Sequence, residues 1–268
     1  MTAENRSAEI FAPAERPRPA GRAAILWAWF VQETKVLFRQ PVAVFFSLAF
    51  PMVIYLFIGL PFAEQQVSGG VRYIDQIFPA LLGTAVANLA VMGLPIYLAE
   101  LRARRVDVRY RTLPLPIVLF VLALVLSMLV LALLGILLVV TVIGLAHGLL
   151  PAAANPLFWL LVFLMIGWLC SLGFLVGSLP LDSRAIQGIS AVLFFVMYFG
   201  SGAAVPVAEL PQIMQDVLEW NPLKQWFEAL GLLYTGQEIS GSVWAKLLIA
   251  LPLAIASVVG GLLLWRKK

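Results

Sequence analysis

Six long apolar stretches, separated by short polar segments, occupy most of the chain. They cover residues 42–61, 77–99, 115–146, 157–179, 185–205 and 242–264. Each is close to or longer than the ~20 residues that a helix needs to cross a bilayer, and the third is long enough to tilt or to extend beyond it. The pattern therefore predicts an all-α membrane protein with six transmembrane helices. Pro180, beside Asp182 and Arg184, separates the fourth stretch from the fifth; if these two formed one helix, there would be five spans.

The amino-terminal part has a different character. Residues 1–21 combine prolines with mixed charges and lack an apolar core of signal-peptide length, which predicts a disordered cytoplasmic tail. Residues 22–39 place apolar side chains at helical spacing, with Glu33 and Lys35 on a polar side. This pattern favours an N-terminal interfacial helix over a frayed start to the first span. We expect residues 22–268 to form one transmembrane domain.

The composition supports a membrane protein and argues against an enzyme. Hydrophobic residues make up 62% of the chain and charged residues 12%, which leaves no sizeable soluble domain. The single cysteine, Cys170, and the single histidine, His147, offer little for a metal centre or for nucleophilic catalysis. No stretch has the glycine-rich phosphate loop of an ATPase. We therefore expect no catalytic, cofactor or metal site in this chain, and we expect His147 to be a solvated residue at a span end.

Basic residues set the predicted orientation, because lysine and arginine bias loops towards the cytoplasm. With the amino terminus inside, only Arg72, Lys224 and Lys246 of the 18 basic residues fall outside. We therefore predict a multi-pass protein of the inner (cytoplasmic) membrane with both termini in the cytoplasm. The isoelectric point near 9.4 then reflects topology and implies no nucleic-acid partner.

The loop after the second span is the most charged part of the chain. Its charged residues are Glu100, Arg102, Arg104, Arg105, Asp107, Arg109 and Arg111. Pro114 and Pro116 follow, so the loop is expected to form a short helix on the cytoplasmic side that ends before the third span. Two interpretations remain open, a docking site for a partner and an ordinary positively charged loop that anchors the topology.

A second informative segment, 200–234, lies on the predicted extracellular side. Glycines and prolines break the fifth span near its outer end, and aromatic residues such as Trp226 and Tyr234 then recur at near-helical spacing. This pattern predicts short re-entrant helices that dip back towards the membrane. A plain extracellular loop is the alternative, and the aromatic content argues against it.

Several short motifs occur in a characteristic order. They are Arg39-Gln40-Pro41, Phe50-Pro51-Met52, Pro79-Ala80-Leu81-Leu82, Thr112-Leu113-Pro114-Leu115, Ser201-Gly202 with Pro206, Leu210-Pro211 and Asn221-Pro222-Leu223. In this order and spacing the chain resembles, from about Trp27 to its end, the permease subunits of type-2 ATP-binding-cassette (ABC) exporters. One departure is that Ala103 and Arg105 stand where the family often has a Glu followed two residues later by Gly.

The resemblance implies a function and partners. It implies a permease subunit of an exporter, dimeric with itself or with a second permease, and powered by a separate ABC ATPase that binds ATP and magnesium. It also implies that segment 100–111 is the coupling helix that contacts this ATPase. Spans poor in fixed charge favour a hydrophobic, amphipathic or lipid-linked cargo, such as a drug or a lipid. The alternative is an ATP-independent carrier or flippase, which the absence of mid-span carboxylates disfavours.

Isolated polar and small residues within the spans allow two interpretations. Thr84 and Asn88 share a helix face, and Tyr198 and Ser201 lie near the outer end of the fifth span, so all four are candidates for the translocation path. Helix-to-helix hydrogen bonds are the commoner use of such groups, and tyrosine is also an interface anchor. Gly173 and its neighbour four residues on, Gly177, are expected to form a packing seam.

Overall fold

The computed structural model describes residues 21–67, 70–103, 117–202, 212, 215 and 218–266. The helices in these residues, in chain order, are α1 (Arg22–Phe38), α2 (Pro41 to Phe62), α3 (Tyr73–Ala103), α4 (Ile117–His147), α5 (Pro156–Ser178), α6 (Ser183–Phe199), α7 (Pro222–Tyr234) and α8 (Gly241–Arg266). We term the end of the bundle that carries α7 the outer end, following the predicted orientation, and the end at which α3 finishes the inner end.

The all-helical membrane fold is confirmed in the described residues. Five helical segments are long and apolar enough to cross a bilayer, namely Phe45–Phe62, Tyr73–Ala103, Leu119–His147, Pro156–Ser178 and Gly241–Leu264. Helix α6 is apolar but has 17 residues, because it ends at Gly200 and Gly202 then adopts a positive φ of 82°. The predicted stretch had continued to residue 205, so the sixth crossing remains a prediction.

Three helices begin at side chains that cap their first turn. Asn155 accepts a hydrogen bond from the Leu157 amide at 2.9 Å, and Asn221 accepts one from the Leu223 amide at 3.0 Å. In both cases proline occupies the first helical position, where its missing N–H leaves nothing unsatisfied. Asp182 caps α6 by accepting a hydrogen bond from the Ala185 amide at 3.0 Å, and the predicted break between the fourth and fifth stretches is confirmed.

Helix α3 forms the centre of the bundle. In its most apolar 18-residue window, 89% of the residues are buried. A Cβ atom added to Gly173 of α5 would overlap the Ala90 carbonyl oxygen of α3, and one added to Gly177 would lie 2.9 Å from the Cα of Pro95. The predicted packing seam is therefore confirmed, because glycine lets the two backbones touch.

Two transmembrane helices are much less enclosed. The windows of α2 and α8 are 28% and 17% buried, so most of their apolar side chains face outward. Helix α2 also contains two π-helical turns, Phe45–Ala49 and Tyr55–Gly59, and α3 contains one at Leu89–Gly93. These turns interrupt the regular hydrogen-bond ladder and often occur at functional sites.

The structure describes one helix within each of the predicted interfacial and re-entrant segments, α1 and α7. Helix α1 packs against α4, and its Phe30 carbonyl accepts a hydrogen bond from the Ser127 hydroxyl at 3.1 Å. Helix α7 packs on α3, where the Phe227 ring occupies the space beside Gly83. Their positions relative to a lipid bilayer remain predictions.

Candidate coupling and transport sites

The inner end of α3 carries the first residues of the predicted coupling segment. The Arg102 guanidinium donates a hydrogen bond of 2.6 Å to the carbonyl of Leu179, the residue that ends α5. Glu100 lies two residues earlier along α3. The other predicted coupling residues, Arg104, Arg105, Asp107, Arg109 and Arg111, lie outside the described residues. Within the described part, the segment therefore starts from a helix end that is bonded to α5.

A buried carboxylate joins α1 to the same part of α3. Glu33 is 5% exposed, and the Tyr97 hydroxyl donates a hydrogen bond to its carboxylate. Burial raises the pKa of Glu33 above its usual value, and the bond from Tyr97 partly opposes this rise. The sequence placed Glu33 on a polar helix face, and its periodicity gave no sign that another helix covers that face.

The inner half of α3 is thus attached on two sides. Glu33 connects it to α1, and Arg102 connects it to the end of α5. Close to the Tyr97 bond, Gly177 brings the backbone of α5 into contact with that of α3 at Pro95. The two hydrogen bonds and the backbone contact restrict independent movement of α1, α3 and α5. These three helices should therefore move together at their inner ends.

In the outer half of the bundle, two of the predicted path residues meet. Thr84 donates a hydrogen bond to the Ala80 carbonyl at 2.7 Å, and its oxygen lies 3.3 Å from the Tyr198 hydroxyl of α6. The Tyr198 ring stacks on Phe194, with the ring centroids 5.5 Å apart. Both Thr84 and Tyr198 are buried. In this conformation they form a contact between α3 and α6.

The other two path candidates bond to their own segments of the chain. The Asn88 amide donates to the Met92 sulfur of the next turn at 3.6 Å, and the Ser201 hydroxyl donates to the Tyr198 carbonyl at 2.6 Å. Both side chains are also buried. A role in a translocation path remains a prediction for all four residues, and it requires the helices around them to separate.

The expectation of a solvated His147 is wrong. Its side chain is 8% exposed; Nε2 lies 2.8 Å from the Tyr55 hydroxyl and Nδ1 lies 3.1 Å from a Glu64 carboxylate oxygen. The outer end of α2 covers the ring, a long-range packing that composition and spacing do not reveal. The described residues contain no group of three or more His, Cys, Asp or Glu side chains that could hold a metal ion.

The fold and the inner contacts define a class of protein, a polytopic helical membrane protein whose central span leads into a charged loop. The sequence match identifies the family within this class. Residues 25–233 match the family described as ABC-2 type transporter. The chain therefore belongs to this family, the permeases of type-2 ABC transporters, as the motif order indicated. No curated protein matches the chain.

Membership of this family establishes the coarse role of the chain. It is the transmembrane permease component of an ABC transporter and has no ATPase of its own. Its partners are an ABC ATPase and the membrane that it spans several times.

Proposed function

We propose that this permease is the membrane-spanning subunit of an exporter, in which a separate ATPase docks on segment 100–111 and transmits its closure to the spans. One observation carries the proposal. The inner half of α3, which leads directly into this segment, is bonded to α1 through Glu33 and to α5 through Arg102. A displacement at the end of α3 would therefore move three helices at once.

Coupling of this kind requires a stiff connection. If the inner half of α3 could bend freely, closure of an ATPase would be absorbed locally and would not reach the transport path. The backbone contacts at Gly173 and Gly177 oppose such bending, because α5 lies directly against α3 over about one helical turn. This arrangement favours a coupling role for segment 100–111 over a purely topological one.

The proposed cargo is hydrophobic, amphipathic or lipid-linked, as for drugs or lipids. In the described spans the buried polar groups near the middle are hydroxyls and an amide, such as Ser47, Thr84 and Asn88. The acidic residues of these spans, Asp75 and Glu100, lie near the ends of α3. A path through these helices would offer no fixed charge at mid-membrane for an ion or for a coupling cation.

The proposed assembly is a homodimer or a heterodimer with a second permease, in the inner (cytoplasmic) membrane and with both termini in the cytoplasm. The outward-facing apolar surfaces of α2 and α8 are available to a second subunit or to lipid. The four path candidates would line the path once the helices around them separate; these residues are Thr84, Asn88, Tyr198 and Ser201. If so, Asn88→Leu should change the cargo preference more than the folded yield, and loss of yield alone would indicate a packing role.

The coupling proposal is tested by reversing three charges. The variant carrying Arg104→Glu, Arg105→Glu and Arg109→Glu should still insert and should leave ATP hydrolysis by the assembly in place, but transport should fall by at least tenfold, about 1.4 kcal/mol or more of lost coupling. Transport and hydrolysis are measured on the same proteoliposomes. Unchanged transport would remove the docking role.

A matched control separates coupling from topology. Arg16→Glu, Arg18→Glu and Arg22→Glu reverse the same number of charges on the same predicted side of the membrane. If both triple variants insert correctly and only the first loses transport, the position of the charges matters and their number does not. Equal loss in both variants would indicate a general effect on insertion.

Purification in mild detergent tests the partner independently. A nucleotide-binding protein recovered in roughly equal amount, with ATPase activity, is the expected result. If the permease is recovered alone under conditions that preserve a known complex of this type, the ATP-independent carrier becomes the better hypothesis.

A further inference from the structure

Five polar side chains meet where the outer ends of α2, α3 and α4 come together. They are Tyr55, Glu64, Arg72, Asp75 and His147, and we term this cluster the outer latch. Tyr55 belongs to α2, Glu64 and Arg72 lie in the connection from α2 to α3, Asp75 lies in the first turn of α3, and His147 ends α4. The cluster lies at the opposite end of α3 from segment 100–111, so it is separate from the proposed coupling site.

His147 is the central residue of the outer latch. Both of its ring nitrogens have partners, because Nε2 lies 2.8 Å from the Tyr55 hydroxyl and Nδ1 lies 3.1 Å from Glu64. A neutral ring with its proton on Nδ1 donates to Glu64 and accepts from Tyr55, whereas a charged ring donates to both. The contact between α2 and α4 therefore satisfies the ring in either protonation state.

Arg72 attaches the cluster to α3. Its guanidinium donates to both Asp75 carboxylate oxygens, at 2.7 and 3.1 Å, and to the His147 carbonyl at 3.1 Å. It also lies 3.8 Å from Glu64. Because Asp75 is 3% exposed and belongs to the most buried span, Arg72 is held firmly on the α3 side. The Glu64 side chain is 68% exposed, so it is the member of the cluster that the surrounding protein restrains least.

Helix α2 is the element that the outer latch restrains. Among the described residues, the Ser47 hydroxyl of α2 donates to the Leu131 carbonyl of α4 at 3.3 Å, and the Ile74 amide of α3 donates to the carbonyl of Ala63, the residue after α2, at 3.2 Å. Its π-helical turn Tyr55–Gly59 begins at the latch residue itself. A sparsely buried helix with an irregular hydrogen-bond ladder can shift at lower cost than a central one.

We propose that the outer latch is a reversible gate contact, which holds α2 against α4 when the outer end is closed and releases it when cargo leaves. The inference rests on the proposed transport function. A polar contact at the membrane edge suits this use, because water can replace the lost hydrogen bonds at Glu64 and Arg72 on opening. An apolar contact in the core would not be compensated in this way.

The single histidine of the chain allows a direct test. Diethyl pyrocarbonate acylates an accessible imidazole, and mass spectrometry of the peptide that contains His147 gives the rate. The protein is purified with an affinity tag that contains no histidine. In the isolated permease His147 should react slowly, and Tyr55→Phe should raise the rate about threefold or more by removing one hydrogen bond. Glu64→Gln should give a smaller increase, and Tyr97→Phe, at the inner end, should give none.

The same measurement on the complex with its ATPase tests opening. We expect His147 to be protected without nucleotide and to react at least threefold faster in one of the nucleotide-bound states, obtained with ATP and orthovanadate. ATP hydrolysis and transport are recorded in the same samples. Equal protection in every state of an active transporter would overturn the gate proposal, because the cluster would then be a static brace.

Failure of the proposed function gives a different result. A preparation without any ATPase partner or activity would contradict ATP-driven export and leave the variant comparison on the isolated permease to decide whether the outer latch exists. A fast rate in wild-type protein, or no response to Tyr55→Phe and Glu64→Gln, would overturn the outer latch whatever the energy source.

Discussion

Helices α3 and α8 are both long and apolar enough to cross the membrane, yet one is enclosed by protein and the other is not. The most apolar window of α3 has a mean hydropathy of 1.9 and is 89% buried, whereas that of α8 has 2.6 and is 17% buried. The helix with more protein contacts is therefore the less hydrophobic one. In a bilayer, lipid covers apolar side chains as well as protein does, so hydrophobicity alone gives no reason to pack.

Small and polar side chains account for the difference. Helix α3 offers Gly83, which admits the Phe227 ring of α7, and Thr84, which bonds to Tyr198 of α6. The outward face of α8 consists of bulky aliphatic residues such as Leu248 and Ile255. Close backbone approach and polar bonds thus hold the centre of this bundle together, and the comparison suggests several experiments.

The largest expected effect comes from removing the same kind of side chain in each helix. Leu82 is fully buried in α3, and Ile255 of α8 is 66% exposed. Leu82→Ala should lower the free energy of unfolding by about 2–4 kcal/mol through the cavity it leaves. Ile255→Ala should change it by less than ~0.5 kcal/mol. Unfolding by sodium dodecyl sulfate in bicelles measures both. Similar losses would mean that a second subunit covers this face of α8.

The next effect concerns two glycines of the same helix, α5. Gly173→Ala pushes a methyl group into the Ala90 carbonyl of α3 and should cost about 1–3 kcal/mol. At Gly167 an added Cβ meets nothing within 4 Å, so Gly167→Ala should stabilise the helix by ~0.5–1 kcal/mol. Thermal unfolding followed by tryptophan fluorescence should shift in opposite directions. A shift of the unfolding temperature in the same direction for both variants would contradict the backbone contact between α3 and α5.

A smaller, pH-dependent effect comes from the bond between α1 and α3. The pKa of Glu33 is raised in the folded state, so the protonated form contributes stability below the ordinary value near 4.5, and this contribution is lost as pH rises through the raised pKa. Glu33→Gln resembles the protonated form and should not show this loss. The two proteins should therefore converge at low pH and diverge at neutral pH, with the variant more stable. Melting curves over pH 4–8 test this, and parallel curves would show that Glu33 is hydrated.

The smallest expected effect is the coupling between Thr84 and Tyr198. Their oxygens lie 3.3 Å apart, and comparable bonds between membrane helices average ~0.6 kcal/mol. A double-mutant cycle with Thr84→Val and Tyr198→Phe should give a coupling energy of this size. If instead the coupling is zero and transport is altered, the two residues act in the path and do not stabilise the fold.

The apolar stretches predicted the spans well because membrane crossing depends on length and composition. They missed part of the ends of α3, which extends four residues beyond the predicted stretch on each side. At its outer end Arg72 pairs with Asp75, and at its inner end Arg102 bonds to Leu179, so charged residues join the helix where water or a partner is available.

The contacts of the candidate sites were harder to predict. Tyr97 with Glu33 and Tyr55 with His147 are separated by 64 and 92 positions in the sequence. Which side chains meet across such distances depends on how each helix is rotated about its axis, and hydropathy contains little information on rotation. The π-helical turns add to the difficulty, because a helix face read with a period of 3.6 residues does not continue through them.

The π-helical turn at Leu89–Gly93 gives α3 one residue more than a regular helix of the same extent would have. Such a turn accommodates about one residue more than an α-helical turn, and one residue corresponds to a rotation of about 100°. A π-helical turn fits this extra residue into nearly the same rotation and rise, so deleting a single residue there would regularise the helix and leave Tyr97 and Arg102 facing their partners. Homologous chains should therefore tolerate the loss of one residue in this turn more readily than in the regular parts of α3, where a deletion would rotate every later side chain by about 100°.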